Sequence, residues 1–171
     1  MKIGFIGQGW VGKNIADEFE ERQDYYSVPA YKDMFHLDGT YAGKQYNPEC
    51  KSKPQYEVVR YSLEEPYCHN ANQIYDCEFV FIAVPTATNE RGHDLSNVHN
   101  ALAKLKPGTT AIIKSTIKPG TTVKLQEEYP NLFIVHSPEF LTEAKVYHDT
   151  RYPKRNIIGI PFETETYYNI A

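Results

Sequence analysis

Apolar and polar positions fall into blocks along the chain, and the blocks alternate between strand-length apolar runs and stretches with helical spacing. Ile3-Gly4-Phe5-Ile6 closes a first strand over 2–6. Residues 11–22 then carry Val11, Ile15, Ala16 and Phe19 on one helical face and end in charged residues. Glu57-Val58-Val59-Arg60-Tyr61 reads as strand two, with a short helix near 72–75 after it. Residues 79–84 are continuously apolar, as in a strand buried on both faces of a parallel sheet. Leu95, Val98, Leu102 and Leu105 are in helical register, and Lys106-Pro107-Gly108 stops that helix. Further strands are expected at 110–114, 133–136 and 156–160, and a helix at 123–129. The alternation predicts an α/β fold: a doubly wound, mostly parallel sheet with helices on both faces.

One stretch breaks the pattern. Residues 23–55 carry Pro29, Pro48, Pro54, Gly39 and Gly43 and many Tyr and Lys. Helix-to-strand loops usually have about 2–6 residues, so this stretch is read as an insertion. A rival second strand at 27–31, with Asp33 at its acidic end, has Pro29 in mid-run, which cannot donate to a central ladder. The tyrosines clustered between residues 25 and 61 suit a contact surface or, more simply, exposed turns.

Composition narrows the picture. The chain has 171 residues, 41% hydrophobic and 23% charged, which fits a single globular domain over 1–171. Its net charge of −4 argues against broad nucleic-acid binding. No apolar stretch approaches a membrane span, and the first residues enter a strand without a signal peptide. Cys50, Cys68 and Cys77 form no C-x-x-C pair, and an odd count suits a reducing cytoplasm. The six histidines are scattered. No metal site is expected, although Cys68-His69 could by chance contribute to one.

Candidate chemistry starts at Gly7-Gln8-Gly9-Trp10-Val11-Gly12, a G-x-G-x-x-G turn between the first strand and the first helix. Gly7 turns the chain off the strand, Gly9 leaves room for a pyrophosphate, and Gly12 lets the helix pack close to the sheet. The helix points free N–H groups and its positive end at the phosphates. Gly7 to Lys13 also nearly spells a P-loop, but Asn14 stands where Ser or Thr would hold magnesium. The strand over 79–84 runs into Pro85-Thr86 rather than an acidic residue. The dinucleotide reading is preferred, and a Rossmann-like domain follows from it.

In such a sheet, ligands sit beyond the carboxyl ends of the strands. Three polar loops fall there: Val84-Pro85-Thr86-Ala87-Thr88, the segment from Lys114-Ser115-Thr116 to Pro119-Gly120-Thr121-Thr122, and Ser137-Pro138-Glu139-Phe140-Leu141-Thr142-Glu143. Proline stiffens such loops, and hydroxyls can bond ribose, phosphate or nicotinamide.

These motifs, with Arg155-Asn156-Ile157-Ile158-Gly159, appear in an order that resembles the N-terminal NAD-binding domain of the UDP-glucose/GDP-mannose dehydrogenase family. The resemblance covers the chain apart from 23–55 and the last dozen residues. It implies oxidation of a nucleotide sugar's C6 alcohol to a carboxylate, with NAD as cofactor. It implies that Gly7, Gln8, Gly9, Trp10, Val11 and Gly12 hold the pyrophosphate. Val84, Pro85, Thr86, Ser115 and Thr116 would line the rest of the cofactor site. Thr116 would help position a water, and Glu139 would act through that water as acid or base. Glu139, Phe140, Leu141, Thr142 and Glu143 would touch the nucleotide sugar, with Glu143 also near the nicotinamide. The plainer alternative for Glu139 is a helix-start carboxylate bonding local N–H groups.

The chain also departs from the family pattern. Ser62 stands where an acidic residue usually bonds the adenosine ribose, so NADP stays open beside NAD. Ser137 replaces a usual Asn. The family's nucleophilic cysteine lies in a glycine-rich segment of a later domain, after a central helix, and none of the three cysteines has that setting. The resemblance therefore implies a chain that binds cofactor without completing catalysis, the missing parts coming from a longer protein, a partner chain or a homodimer. The alternative is a non-catalytic NAD(H)-binding module acting through a partner.

Overall fold

The computed structural model describes residues 1–22, 31–36, 40–46, 56–89, 92–142, 145–153 and 155–171. In chain order, β1 (Lys2–Ile6) feeds α1 (Trp10–Arg22), then β2 (Tyr31–Phe35), β3 (Tyr41–Tyr46) and β4 (Glu57–Tyr61). A 3-10 turn (Cys68–Asn70) and α2 (Ala71–Tyr75) precede β5 (Phe79–Ile82). The short pair β6 (Thr88–Asn89) and β7 (Gly92–His93) precedes α3 (Ser96–Leu102) and β8 (Thr110–Ile113). The elements α4 (Thr121–Glu128), β9 (Phe133–His136), α5 (Val146–Arg151) and α6 (Glu165–Ile170) follow.

The main sheet has five strands in the order β4-β1-β5-β8-β9, all parallel. From β1 the chain moves outward to β4 through α1, and from β5 it moves the other way. Right-handed crossovers then put α1 on one face and α2, α3 and α4 on the other. The point of reversal lies between β1 and β5, where a crevice opens at the strands' carboxyl ends.

Side-chain alternation along the strands fills both faces. Ile6, Val80, Ile82, Ala111, Ile113 and Ile134 pack with Ile74 of α2, Val98, Ala101 and Leu102 of α3, and Leu125 of α4. Ile3 and Phe5 point the opposite way, against Ile15, Ala16 and Phe19 of α1 and against Phe79 and Phe81. The Phe5 and Phe81 rings stack at 5.0 Å, with Phe19 edge-on to Phe5 at 5.3 Å. Burying an aliphatic or aromatic side chain this fully contributes about 1.5–3 kcal/mol.

Several polar side chains inside are paired. Gln126 of α4 accepts from the Ile134 N–H at 2.8 Å and donates to Leu132 O at 2.8 Å. Its carboxamide oxygen also accepts from Tyr167 Oη, docking α6. Arg60 of β4 is only 7% exposed. It donates to Asp17 at 2.7 Å and Glu20 at 2.8 Å, tying α1 to β4.

Several element boundaries differ from expectation. The apolar run at 79–84 stops pairing at Ile82, because Val84 leaves the ladder and its N–H donates to Ser115 Oγ at 2.9 Å. No strand forms over 156–160; only Gly159 bridges, antiparallel, to His136. Within 23–55, β2 and β3 form an antiparallel hairpin outside the main sheet. Tyr31 of the rival strand belongs to that hairpin, and residues 27–30 lie outside the described residues.

Candidate cofactor-binding site

The glycine turn has the three geometries its spacing suggests. Gly7 sits at φ 92°, and a Cβ there would lie 2.3 Å from Ala83 O. A Cβ on Gly12 would lie 1.9 Å from Gly7 O, so α1 starts as close to the strand end as glycine permits. A Cβ on Gly9 would meet nothing within 4 Å. Two glycines are thus required by the fold itself, whereas Gly9 faces open space. That space adjoins the first turn of α1, whose N–H groups have no intrahelical acceptor and no acidic residue among them. A diphosphate fits such a cradle in both size and charge.

A groove of about 1340 Å³ runs along this edge. It is lined by residues 7–11, Ser62, Val84, Pro85, Thr86, Ser115 and Thr116, so the residues proposed from sequence converge here. Gly12 stays underneath, in the contact with Gly7. Gln8 turns inward, its Oε1 accepting from Arg60 Nη1 at 3.2 Å. Ser62 Oγ donates to Glu64 O at 2.6 Å, shaping the turn that ends β4. Ser115 is buried and stapled to the neighbouring loop: it accepts from Val84 N–H and donates to Val84 O at 2.7 Å. Thr86 Oγ1 donates to Thr116 O at 2.8 Å. These hydroxyls hold the two loops together.

Glu139 also reaches the groove, ion-paired with Lys114 at the end of β8. Lys114 donates in addition to Ser137 Oγ at 3.0 Å. Residues 138–142 are not helical. The helix-start alternative for Glu139 is therefore replaced by an ion pair. Phe140, Leu141 and Thr142 line a second groove of about 1080 Å³ on the α1 side of the sheet. Pro138, Glu139 and Lys114 border both grooves. Thr142 Oγ1 donates to Asp149 at 2.9 Å, and that bond holds the Asp149 carboxyl below its usual range. Glu143 lies outside the described residues.

Sequence reasoning gave no role of their own to Lys114 and His136, which also line the groove. His136 Nε2 is buried and has no hydrogen-bond partner among the described residues. Burial, followed by the nearby Lys114 charge, pulls its pKa below the ordinary imidazole value despite a hydrogen bond with the Ser115 backbone. The available signal was position: each is the first polar residue after its strand's apolar run at the ligand edge.

The fold and this edge define a dinucleotide-binding domain of Rossmann type. Residues 1–169 match the model described as "UDP-glucose/GDP-mannose dehydrogenase family, NAD binding domain", and the chain belongs to that family. It is 36% identical over 168 residues to UDP-glucose 6-dehydrogenase of Campylobacter jejuni, covering 93% of this chain and 42% of that protein. It is 28% identical over 164 residues to UDP-glucose 6-dehydrogenase of Streptococcus pneumoniae, covering 93% and 41%. The chain thus spans about two-fifths of these curated relatives. The solved UDP-D-ManNAc dehydrogenase of Pyrococcus horikoshii shares the fold with a TM-score of 0.64 at 18% identity, covering 99% of this chain and 43% of that one. The cofactor of this NAD-binding domain is NAD. No helix among the described residues is long and apolar enough to cross a membrane.

Proposed function

We propose that this chain is the cofactor half of a nucleotide-sugar 6-dehydrogenase, occupying 1–171 as one domain with 23–55 inserted. Bound NAD would supply the hydride acceptor. The chain's own residues would bind and orient. The α1 amides at Trp10 and Val11, with the open face of Gly9, take the diphosphate, and Ser62 faces the adenosine ribose. Val84, Pro85, Thr86, Ser115 and Thr116 form the wall of the remaining pocket. Glu143, outside the described residues, is assigned to the nicotinamide end and the sugar nucleotide.

The observation that carries the catalytic part is the place of Glu139 on the border of both grooves, held by Lys114. A carboxylate there can take a proton from a substrate hydroxyl, through a water positioned by Thr116. Phe140, Leu141 and Thr142 would contact the sugar nucleotide in the second groove. The step to carboxylate needs a nucleophilic thiol. Cys77 does not suit that role, because burial pushes its thiol up to about 11, and thiolate is the reactive form. We assign the nucleophile to family architecture beyond the two-fifths that this sequence spans, supplied by a longer protein or a partner chain. The odd cysteine count supports a reducing cytoplasm as its location.

Titration with NADH and with UDP-glucose tests the reading. Binding of both, with turnover only when the missing domains are added, is the expected result. Binding of NADH alone would favour a non-catalytic module, and turnover by the chain alone would show a self-contained site.

A further inference from the structure

Glu65, Cys68 and His69 stand together in the turn between β4 and α2. One carboxylate oxygen, the thiol sulfur and one imidazole nitrogen all lie within 4.8 Å of one another. A contact already joins two of them: His69 Nε2 is 3.0 Å from Glu65 Oε1, and the Cys68 sulfur lies within 4.8 Å of both ligand atoms. The three come together where the turn after β4 meets the 3-10 turn. The 3-10 turn at Cys68–Asn70 runs directly into α2. Asn70 Nδ2 donates to Arg60 O at 2.9 Å, fixing that turn to the end of β4.

None of the three side chains belongs to the core, and the cofactor reading assigns none of them a role. The sequence alone showed only Cys68-His69; the fold adds Glu65, across Pro66 and Tyr67. Around zinc, a sulfur at about 2.3 Å and nitrogen or oxygen at about 2.0–2.2 Å would place ligand atoms about 3.3–3.7 Å apart. Their present spacing, within 4.8 Å, leaves about 1 Å for side-chain rotation to close. A thiolate, an imidazole and a carboxylate suit a borderline ion, whereas magnesium and calcium select all-oxygen sites. Three protein ligands leave a fourth tetrahedral position open. Glu65 lines the large groove with Glu64 and Tyr67.

We propose that Glu65, Cys68 and His69 bind one divalent cation of the zinc class at the rim of the groove, with water or a groove ligand in the fourth position. On binding, the thiol proton passes to solvent and sulfur coordinates as thiolate. The site is independent of the diphosphate cradle and of Glu139.

The test is a Co²⁺ titration of the full chain after stripping with a chelator, followed by displacement with Zn²⁺. One equivalent of Co²⁺ should produce thiolate-to-cobalt charge-transfer absorption, and Zn²⁺ should abolish it. Cys68→Ser should remove the band, while Cys50→Ser and Cys77→Ser keep it. His69→Ala and Glu65→Gln should each weaken Co²⁺ by at least about tenfold, the loss that even an outer-shell partner costs. Circular dichroism should show all five variants folded. Absence of the band in the wild type, its survival in Cys68→Ser, or unchanged affinity in both His69→Ala and Glu65→Gln would overturn the proposal.

Discussion

Lys114 and Glu139 form an ion pair that spans the ends of two adjacent strands, with 9% and 18% of their side-chain surfaces exposed. The pair closes the gap between β8 and the loop after β9, and it fixes the carboxylate where the two grooves meet. Removing one member strands the other in a poorly solvated place. Lys114→Met should destabilise the chain by about 2–4 kcal/mol, slightly below the range for fully buried pairs because this one opens on a groove. The double variant Lys114→Met/Glu139→Gln should recover at least about half of that loss. Urea denaturation of the four proteins in the cycle measures the coupling. Additive losses would mean that the pair does not hold Glu139.

The two helix-side glycines of the turn should fail in different ways. A side chain on Gly9 projects into open space, so Gly9→Val should leave the unfolding midpoint nearly unchanged while abolishing NADH binding. A side chain on Gly12 would collide with Gly7 O. Gly12→Ala should therefore cost about 1–3 kcal/mol through overpacking, as well as binding. Thermal unfolding and NADH fluorescence on the same samples separate the two. Equal destabilisation by both substitutions would contradict this division of labour.

Most of the architecture was legible in the sequence, because parallel strands buried on both faces leave continuous apolar runs and their helices keep a clear period. The β1 and β9 boundaries follow from that signal, whereas β4 rests on rejecting the proline-bearing rival and on the family pattern. The short elements did not announce themselves. The strands β6 and β7 have two residues each. The helix α6 is held by the Thr164 cap and the Tyr167–Gln126 bond, which no local pattern reveals. The glycine turn was readable because its spacing encodes backbone geometry. Lys114 and His136 were not, since their meaning comes from which strands lie side by side. The roles of Ser115 and Thr86 shifted for the same reason: each hydroxyl is used by the neighbouring loop.

Ser62 tests the adenosine end. Its hydroxyl is committed to Glu64 O at 2.6 Å, and Arg60, two residues before it, is occupied by Asp17, Glu20 and Gln8. Ser62→Asp should place a carboxylate where a ribose diol can donate to it and a 2′-phosphate is repelled. NAD should tighten relative to NADP by about tenfold, as expected for one hydrogen bond to a charged group. An unchanged ratio of the two affinities would mean that the ribose lies elsewhere.

His136 gives the fold an acid sensitivity. Burial and the Lys114 charge lower its pKa below 6.5. The unfolded chain therefore takes up a proton at this residue before the folded chain does. By linkage, the neutral imidazole's full contribution is present above pH 6.5 and declines as pH falls from there towards the lower, folded value. His136→Gln removes the titration, so the pH dependence of stability should be flatter in the variant than in the wild type below pH 6.5. Carboxylates such as Asp149 also lose stabilisation in acid, but at a lower pH and equally in both proteins. Urea midpoints at pH 7.5 and 5.5, compared between wild type and variant, isolate the histidine. Parallel slopes for the two proteins would mean that His136 is protonated in the fold without cost. NADH affinity over the same range provides a second reading, since a charged imidazole in the groove wall would alter the potential felt by the cofactor.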